Sequence, residues 1–180
     1  MHVHITYTGG TIGMVDSPHG LVPGADLEGW LDSLLAGTPL ARSVSVTSLT
    51  PLIDSSNATP LSWQAIVDDL RAHAAADPQT AFVILHGTDT MAYTSAALSY
   101  ALTDLSVPVV VTGSQLPLGE LGTDAAANVT GALKAATSGR LSGVALFFGH
   151  RLLAGNRVTK SSSWAFTGFE SPNAAPLATT

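Results

Sequence analysis

The sequence predicts an α/β fold, with a mostly parallel, doubly wound sheet between two layers of helices. Two observations predict it. Short apolar runs of strand length alternate along the chain with longer stretches at helical spacing, and the turns after the runs are rich in glycine and hydroxyl side chains. With 180 residues and 46% hydrophobic content, the chain can bury one sizeable core but is short for two full domains. We therefore expect one three-layer, Rossmann- or flavodoxin-like domain over residues 1–180.

The strands are predicted from runs of apolar residues that are too short for helices. These runs lie at residues 3–7, 44–49, 81–85, 107–111 and 144–148. Four helices are expected between them.

The first two helices have clear boundary signals. Asp26 can cap the first, which should end at Gly37, and Thr59 can cap the second, with Pro60 at its first helical position. Each has an apolar stripe at helical spacing. The stripe residues are Leu27, Trp30, Leu31, Leu34 and Leu35 in the first helix and Trp63, Ile66, Val67 and Leu70 in the second.

The other two helices are predicted mainly from their spacing. The third begins after Asp89 and runs through Leu98 to Leu102, and the fourth follows Asp124 through Val129 and Leu133.

Four of the turns that follow strands are small and rich in hydroxyl groups. They lie at residues 8–11, 54–56, 87–90 and 113–114. In open α/β sheets the ligand binds outside the carboxyl ends of the strands, so we expect these turns to meet at one crevice. Glycine permits close backbone approach there, and Ser and Thr supply hydroxyls that can donate, accept or attack.

Composition excludes several classes of function. The formal net charge is -6, and the 7 Lys and Arg residues are scattered, which argues against nucleic-acid binding and against a polybasic membrane anchor. There is no cysteine for disulfides or a thiolate zinc site. The six histidines form no compact metal-ligand spacing, although His2 and His4 share a strand face, so we expect no metal and no cofactor. Without a visible secretory signal or an apolar stretch of about 20 residues, a cytoplasmic protein is expected.

Five stretches, in order along nearly the whole chain, resemble one family. They are Tyr-Thr-Gly-Gly-Thr-Ile-Gly-Met at 7–14, Thr-Pro-Leu-Ile-Asp-Ser-Ser at 50–56, Phe-Val-Ile-Leu-His-Gly-Thr-Asp-Thr-Met-Ala-Tyr-Thr at 82–94, Val-Thr-Gly-Ser-Gln-Leu-Pro at 111–117, and Gly-Asn-Arg-Val-Thr-Lys at 155–160. Together they resemble the cytoplasmic, type I bacterial L-asparaginases, which are threonine amidohydrolases. The resemblance implies the N-terminal domain of the asparaginase fold.

The resemblance also implies roles for particular residues. Thr11 would be the nucleophile, and Thr88 the second catalytic threonine, with Asp89 and Lys160 as its supporting charges. Ser55 and Asp89 would hold the α-carboxylate and the α-ammonium of the substrate. The remaining residues that would line the pocket are Asp54, Ser56, Gly87 and Ser114.

Two differences from the family stand out. Where the family presents a tyrosine in a loop after the first motif, this chain has Leu21, which carries no hydroxyl. The family continues beyond a Ser-Pro-Asn segment into a smaller C-terminal domain, and that segment here is at 171–173. We therefore expect residues 161–180 to begin an interdomain linker and the smaller domain to be absent. A homo-oligomer is implied, because in the family a neighbouring subunit completes each site.

The predicted reaction is hydrolysis of the side-chain amide of L-asparagine to L-aspartate and ammonia. A threonine hydroxyl needs a base to become nucleophilic, and Lys160 in its amine form could take a proton from a threonine or from water. An acyl-threonine route and direct attack by activated water both remain open. L-Glutamine, one methylene longer, is a second candidate substrate because pocket fit discriminates by only about 1–3 kcal/mol.

Other interpretations remain open on sequence alone. The chain could be a glutaminase-type subunit of a tRNA amidotransferase, or a non-catalytic scaffold that binds amino acids or assembles with its own kind. Locally, Asp89 could be a helix N-cap, Ser55 and Ser56 ordinary turn residues, and Lys160 a solvated surface residue.

Overall fold

The computed structural model describes residues 2–180 and contains eleven strands and four α-helices. The strands are β1 (Val3–Tyr7), β2 (Met14–Ser17), β3 (Gly20–Pro23), β4 (Val44–Ser48), β5 (Ala81–Leu85), β6 (Pro108–Thr112), β7 (Gly143–Phe148), β8 (Arg151–Ala154), β9 (Thr159–Lys160), β10 (Phe169–Glu170) and β11 (Ala178–Thr179). The helices are α1 (Leu27–Leu35), α2 (Pro60–Ala76), α3 (Met91–Ala101) and α4 (Ala125–Ala136).

Seven strands form the central sheet in the order β11-β8-β7-β6-β5-β1-β4. The strands from β4 to β7 in this order are parallel, whereas β8 runs antiparallel to β7 and β11 antiparallel to β8. The prediction of a mostly parallel sheet is therefore confirmed, and all five predicted strands are present within one residue of their expected bounds.

Helices cover both faces of this sheet. On one face, α1 and α4 pack over Val3, Ile5 and Tyr7 of β1. On the other face, α2 and α3 pack over Phe82 and Ile84 of β5. Because successive side chains of a strand point to opposite faces, each parallel strand contributes to both cores. This is the predicted three-layer α/β architecture.

The predicted boundaries of α1 and α2 are present in the structure. The Asp26 carboxylate accepts a hydrogen bond from the Gly29 N–H at 3.0 Å, and Gly37 adopts a φ of 75° just beyond the end of α1. Pro60 is the first residue of α2, and the Ser62 hydroxyl accepts from the backbone N–H of Thr59 at 3.1 Å.

The alternative interpretation of Asp89 as a helix cap is wrong. Thr90 occupies the N-cap position of α3, and the carboxylate of Asp89 is turned toward a lysine instead.

The sequence did not indicate the short strands. β2 and β3 form a hairpin that pairs Leu21 with Asp16, so the stretch predicted to be a loop is an ordered ribbon. Residues 161–180, predicted to begin a linker, include β10, which pairs with β9, and β11, which extends the central sheet. Strands of two to four partly exposed residues are too short to give a periodic apolar pattern.

The order of the strands determines where a ligand would bind. β1 lies between β4 and β5, so the chain leaves β1 toward β4 and then returns across it to β5. Such a reversal opens a crevice at the carboxyl ends of the two adjacent strands. The β1 and β5 registers are level there, since Tyr7 pairs with Leu85 and Thr8 N–H donates to Leu85 O at 2.9 Å. Within residues 2–180, no helix is both long and apolar enough to cross a bilayer.

Candidate active site

The turns after β1, β4 and β5 are in direct contact at the crevice. A Cβ added to Gly10 would lie 2.4 Å from the Cα of Gly87, and one added to Gly87 would lie 2.3 Å from Ser55 Oγ. Only glycine allows backbones to approach this closely. The glycines of these motifs therefore bring the candidate catalytic turns together.

Two further contacts complete this arrangement. The Ile53 N–H donates to Thr8 O, and a Cβ added to Gly9 would lie 2.4 Å from Ile53 O. A Cβ added to Gly113, after β6, would lie 2.3 Å from His86 O. The four predicted turns thus form one continuous surface at the crevice.

Thr11 is the first residue of a single turn of 3-10 helix, and its side chain is half-buried. Gly10 before it has a φ of 95° and a ψ of 175°, a region that only glycine populates readily. This backbone places Thr11 one residue beyond the contact between Gly10 and Gly87. The predicted nucleophile therefore lies beside the turn that carries the predicted second threonine.

Thr88, Asp89 and Lys160 are linked by hydrogen bonds. The Lys160 ammonium donates to Thr88 Oγ1 at 2.9 Å and to Asp89 Oδ1 at 2.9 Å. The Lys160 side chain is 17% exposed and that of Asp89 is 61% exposed. Because the Asp89 carboxylate is exposed, solvent screens this ion pair, and the fold itself gains little from the contact. Thr88 Oγ1 therefore accepts a hydrogen bond from Lys160, and the O–H of Thr88 can still donate to another partner.

The position of Lys160 depends on a small accessory sheet. Lys160 ends β9, where it pairs with Phe169 of β10. The ring of Phe169 is buried and packs edge to face against Phe148 at the end of β7, with 4.9 Å between ring centroids. This packing anchors the accessory sheet to the end of the central sheet and brings Lys160 to residues that lie 71 and 72 positions away in the chain.

A buried polar network supports the turn after β5. His86 Nδ1 contacts Gly87 O at 2.7 Å, so this nitrogen must carry a proton. Its Nε2 then accepts from the Thr94 hydroxyl at 3.0 Å, which itself accepts from the indole N–H of Trp63 at 3.0 Å. Burial holds the pKa of His86 below its usual value, while the bond to Gly87 acts in the opposite direction. His86 is therefore uncharged, and its Nδ1–H holds the carbonyl group of Gly87 in place.

The turn after β4 has a buried and an exposed part. Ser55 is buried, and its carbonyl accepts from the Thr90 hydroxyl at 2.7 Å. Asp54 and Ser56 are exposed, and the Asp54 carboxylate accepts from the hydroxyl of Ser56 at 2.8 Å and from its N–H at 3.0 Å. These bonds, first the hydroxyl and then the backbone one, lower the pKa of Asp54. Asp54 and Ser56 thus stabilise their own turn, whereas Ser55 lies against Gly87.

Ser114 is buried, and its hydroxyl donates to Leu116 O within the same turn. Its contribution to the crevice would therefore come from its backbone.

Leu21 and two of the tyrosines can be compared by their exposure and their contacts. Leu21 is 45% exposed on β3, and Tyr93 is 69% exposed on α3. Tyr7 is the tyrosine nearest in sequence to the proposed nucleophile. Its hydroxyl packs against Gly13, and burial raises its pKa above the usual value.

A histidine cluster lies elsewhere, between β1 and α2. His2 and His4 both contact Ser45 Oγ at 2.8 Å, as their shared strand face predicts. His4 also approaches Asp69 and His73 closely enough for the three to be potential metal ligands, which the sequence did not indicate because His4 is far from the other two in the chain. However, the rings of His4 and His73 stack 3.5 Å apart at 19°. Because lone pairs lie in the ring plane, face-to-face rings cannot both point at one ion.

Comparison with known proteins identifies relatives over almost the whole chain. The family model "Asparaginase, N-terminal" matches residues 2–180. L-asparaginase 1 of Escherichia coli strain K12 is 46% identical over 97% of this chain, which spans 52% of that protein. This chain therefore spans about half the length of such relatives.

Solved structures show the same fold. L-asparaginase I from Vibrio cholerae superposes with a TM-score of 0.86 at 44% identity, over 98% of this chain and 52% of that one. A probable cytoplasmic L-asparaginase from Campylobacter jejuni gives a TM-score of 0.81 at 29% identity, over 98% of this chain and 54% of that one.

Relatives with other names share the same segment. The 60 kDa lysophospholipase of Mus musculus is 38% identical over 96% of this chain and 34% of that protein. A subunit of the glutamyl-tRNA(Gln) amidotransferase of Haloquadratum walsbyi is 36% identical over 97% of this chain and 40% of that protein.

Proposed function

Because the chain belongs to the asparaginase family, we propose that it hydrolyses the side-chain amide of L-asparagine to L-aspartate and ammonia. The observation that carries this proposal is the contact of Lys160 with Thr88 and Asp89, beside the turn of Thr11. It joins a hydroxyl, a proton carrier and a carboxylate at the crevice of the sheet. L-asparaginase is also the name of the E. coli and V. cholerae relatives.

In the proposed reaction, Thr11 Oγ attacks the amide carbon and its proton passes to a neighbouring base. The carbonyl oxygen becomes an oxyanion, for which backbone N–H groups of the glycine-rich turns at 9–10 and 113–114 are candidate donors. When the tetrahedral intermediate collapses, the C–N bond breaks and the nitrogen leaves as ammonia after gaining a proton. Water then hydrolyses the acyl-threonine ester to release aspartate and restore the hydroxyl.

Thr88 and Lys160 are proposed to move these protons. In its ammonium form, Lys160 holds Thr88 Oγ1 in place at 2.9 Å, and in its amine form it can accept a proton from Thr88 or from a water. Asp89 orients the ammonium form through Oδ1. In the rival route, the activated water attacks the amide directly and Thr11 only binds it.

Substrate recognition follows from the charges at the crevice. An amino-acid amide carries an ammonium and a carboxylate that both need partners once water is removed. Asp89 Oδ1 receives Lys160, and no hydrogen bond within residues 2–180 takes Oδ2, so this oxygen can receive the α-ammonium. The turn of Ser55 would hold the α-carboxylate. The pocket lining would include Asp54, Ser56, Gly87 and Ser114.

We further propose a cytoplasmic homo-oligomer that acts on a small molecule. The description of the C. jejuni protein as cytoplasmic supports the location. Support for the oligomer comes from the segment between β9 and β10, where Trp164 is 81% and Phe166 is 47% exposed, within six residues of Lys160 in the chain.

The test is ammonia release from L-asparagine and L-glutamine by the purified chain and two matched lysine variants. Lys160→Met keeps the apolar stem and removes the charge, so we expect kcat to fall by about 100-fold or more. Lys134, the other lysine of the chain, is exposed on α4, and Lys134→Met should leave the rate unchanged. Thr11→Val should abolish release.

The other functions would give different results. Full activity in Thr11→Val would refute the nucleophile assignment. Binding of L-aspartate without ammonia release from either amide would indicate a binding scaffold. Release from glutamine well above that from asparagine would favour the amidotransferase-type glutaminase.

A further inference from the structure

Two buried polar residues at the start of α4 lie beneath the turn after β6. Asp124 is 9% exposed and Asn128 is 2% exposed. Asp124 occupies the N-cap position, yet its side chain does not cap α4, and Thr123 Oγ1 accepts from the Ala125 N–H at 3.1 Å instead. The buried carboxylate of Asp124 therefore does not cap the N-terminus of α4, and its hydrogen bonds go elsewhere.

The Asp124 carboxylate holds the backbone of the turn. Gln115 N–H donates to both carboxylate oxygens at 3.0 Å, and Leu116 N–H donates to Oδ1 at 3.2 Å. Bonds of this kind, from an N–H to a charged acceptor, are about twice as strong as neutral ones. Asp124 thus orients two successive peptide groups directly after Ser114.

Asn128 holds the same turn from the other side. Its Nδ2 donates to Gly113 O at 3.0 Å and to Asp124 Oδ2 at 2.9 Å, while its Oδ1 accepts from Gly149 N–H at 3.1 Å. Because both donors and the acceptor are used, only one orientation of the amide satisfies this network. The two side chains therefore connect the turn at 113–116 to α4 and to the end of β7.

The held turn is connected to both sides of the proposed site. Leu118 N–H donates to Ile12 O at 3.1 Å, within the turn that carries the proposed nucleophile. Gln115 Nε2 donates to Ala165 O at 2.9 Å, in the segment that follows Lys160. A shift of this turn would therefore reach the nucleophile on one side and the lysine on the other.

We infer that Asp124 and Asn128 are positioning residues for the amide hydrolysis: they hold Gly113 and Ser114 against the turns of the nucleophile and of Thr88. This inference rests on the proposed function. Neither side chain is part of the proposed reacting set, and both act through the backbone they hold. Misplacement of reacting groups by about 1 Å can lower a rate about 100-fold.

The test combines kinetics with amide hydrogen exchange in the purified chain. In Asp124→Ala we expect kcat/KM per folded molecule to fall about 100-fold. We also expect exchange at the Gln115 and Leu116 amides to accelerate by about tenfold or more, while the amides of β5 keep their protection. The matched control is Asp32→Ala, which removes an exposed carboxylate from α1 and should change neither measurement.

A pair of isosteric changes covers the case in which the alanine variant does not fold. Asp124→Asn places an amide NH2 against the NH2 of Asn128, and Asn128→Asp places a carboxylate against Asp124. The double variant exchanges the two groups and restores a donor opposite an acceptor. It should therefore be more active than either single variant, although the bonds from position 128 to Gly113 O and from Gln115 N–H to the second carboxylate oxygen of Asp124 are still lost.

Each outcome is decisive. Unchanged exchange at Gln115 and Leu116, or normal kcat/KM in folded Asp124 variants of an active parent, would overturn this inference and leave the proposed function intact. No ammonia release by the parent chain would overturn the proposed function, while the exchange rates would still show whether Asp124 holds the turn.

Discussion

Gly10→Ala tests whether the fold depends on contact between the turns of Thr11 and Thr88. Two separate costs follow from the structure. With φ at 95° and ψ at 175°, Gly10 lies in a region essentially restricted to glycine, where another residue costs about 1–3 kcal/mol. The new Cβ would also lie 2.4 Å from Gly87 Cα and 2.5 Å from Gly87 N, and such overpacking costs about 1–3 kcal/mol.

The backbone of Gly87 has little room to relieve this clash, because it is itself packed against Ser55. We therefore expect Gly10→Ala to lower the free energy of unfolding by about 2–6 kcal/mol. The assay is equilibrium urea unfolding followed by circular dichroism, where a loss of this size lowers the midpoint by about 1–3 M at an m-value of about 2 kcal/mol/M.

Two control glycines separate the costs. Gly20 has a φ of 99° but no atom within 4 Å of an added Cβ, so Gly20→Ala should show the backbone cost alone. Gly119 has neither a positive φ nor a neighbour within 4 Å, and Gly119→Ala should change stability by no more than about 0.5 kcal/mol. If Gly10→Ala were no more destabilising than Gly20→Ala, the close contact between the two turns would be refuted.

Two further predictions concern the N-cap of α1 and the buried histidine. Asp26→Ala removes the acceptor of Gly29 N–H at 3.0 Å and should lower the free energy of unfolding by about 1 kcal/mol in urea titrations; no change would mean that solvent replaces the cap. Because burial lowers the pKa of His86, the unfolded chain binds a proton below pH about 6.5 that the native protein does not. Stability should therefore fall as pH decreases from about 6.5, by at most about 1.4 kcal/mol per pH unit from this group. His86→Asn should flatten that slope, whereas replacing the exposed His19 should not, and equal slopes in all three proteins would contradict the assignment.

Some of the fold could be predicted because its determinants are local. The runs that became β5 and β6 are buried on both faces, so they consist almost entirely of apolar residues. Asp26 and Pro60 mark helix starts through geometry that depends only on their own neighbours. The hairpin of β2 and β3 and the two-residue strands gave no such signal, since their pairing depends on partners that the fold supplies.

The candidate site was predicted to different degrees. Thr88 and Asp89 are adjacent in one motif, but Lys160 could be connected to them only through the family resemblance, because one lysine on its own has no distinguishing pattern. The roles of Asp124 and Asn128 were missed. Their partners are backbone atoms of a turn 8 to 15 residues away, and these atoms come within reach only when α4 packs beneath β6.

The sequence by itself determined the fold class, the glycines that pack closely at the ends of the strands, and the family. Periodicity, turn chemistry and motifs each depend on residues that are neighbours in the chain. The tertiary structure decided the strand order that opens the crevice beside β1, the contact between Gly10 and Gly87, and the meeting of Lys160 with Thr88. Those contacts join residues far apart in the chain, and they form only when burial of apolar surface brings the layers together.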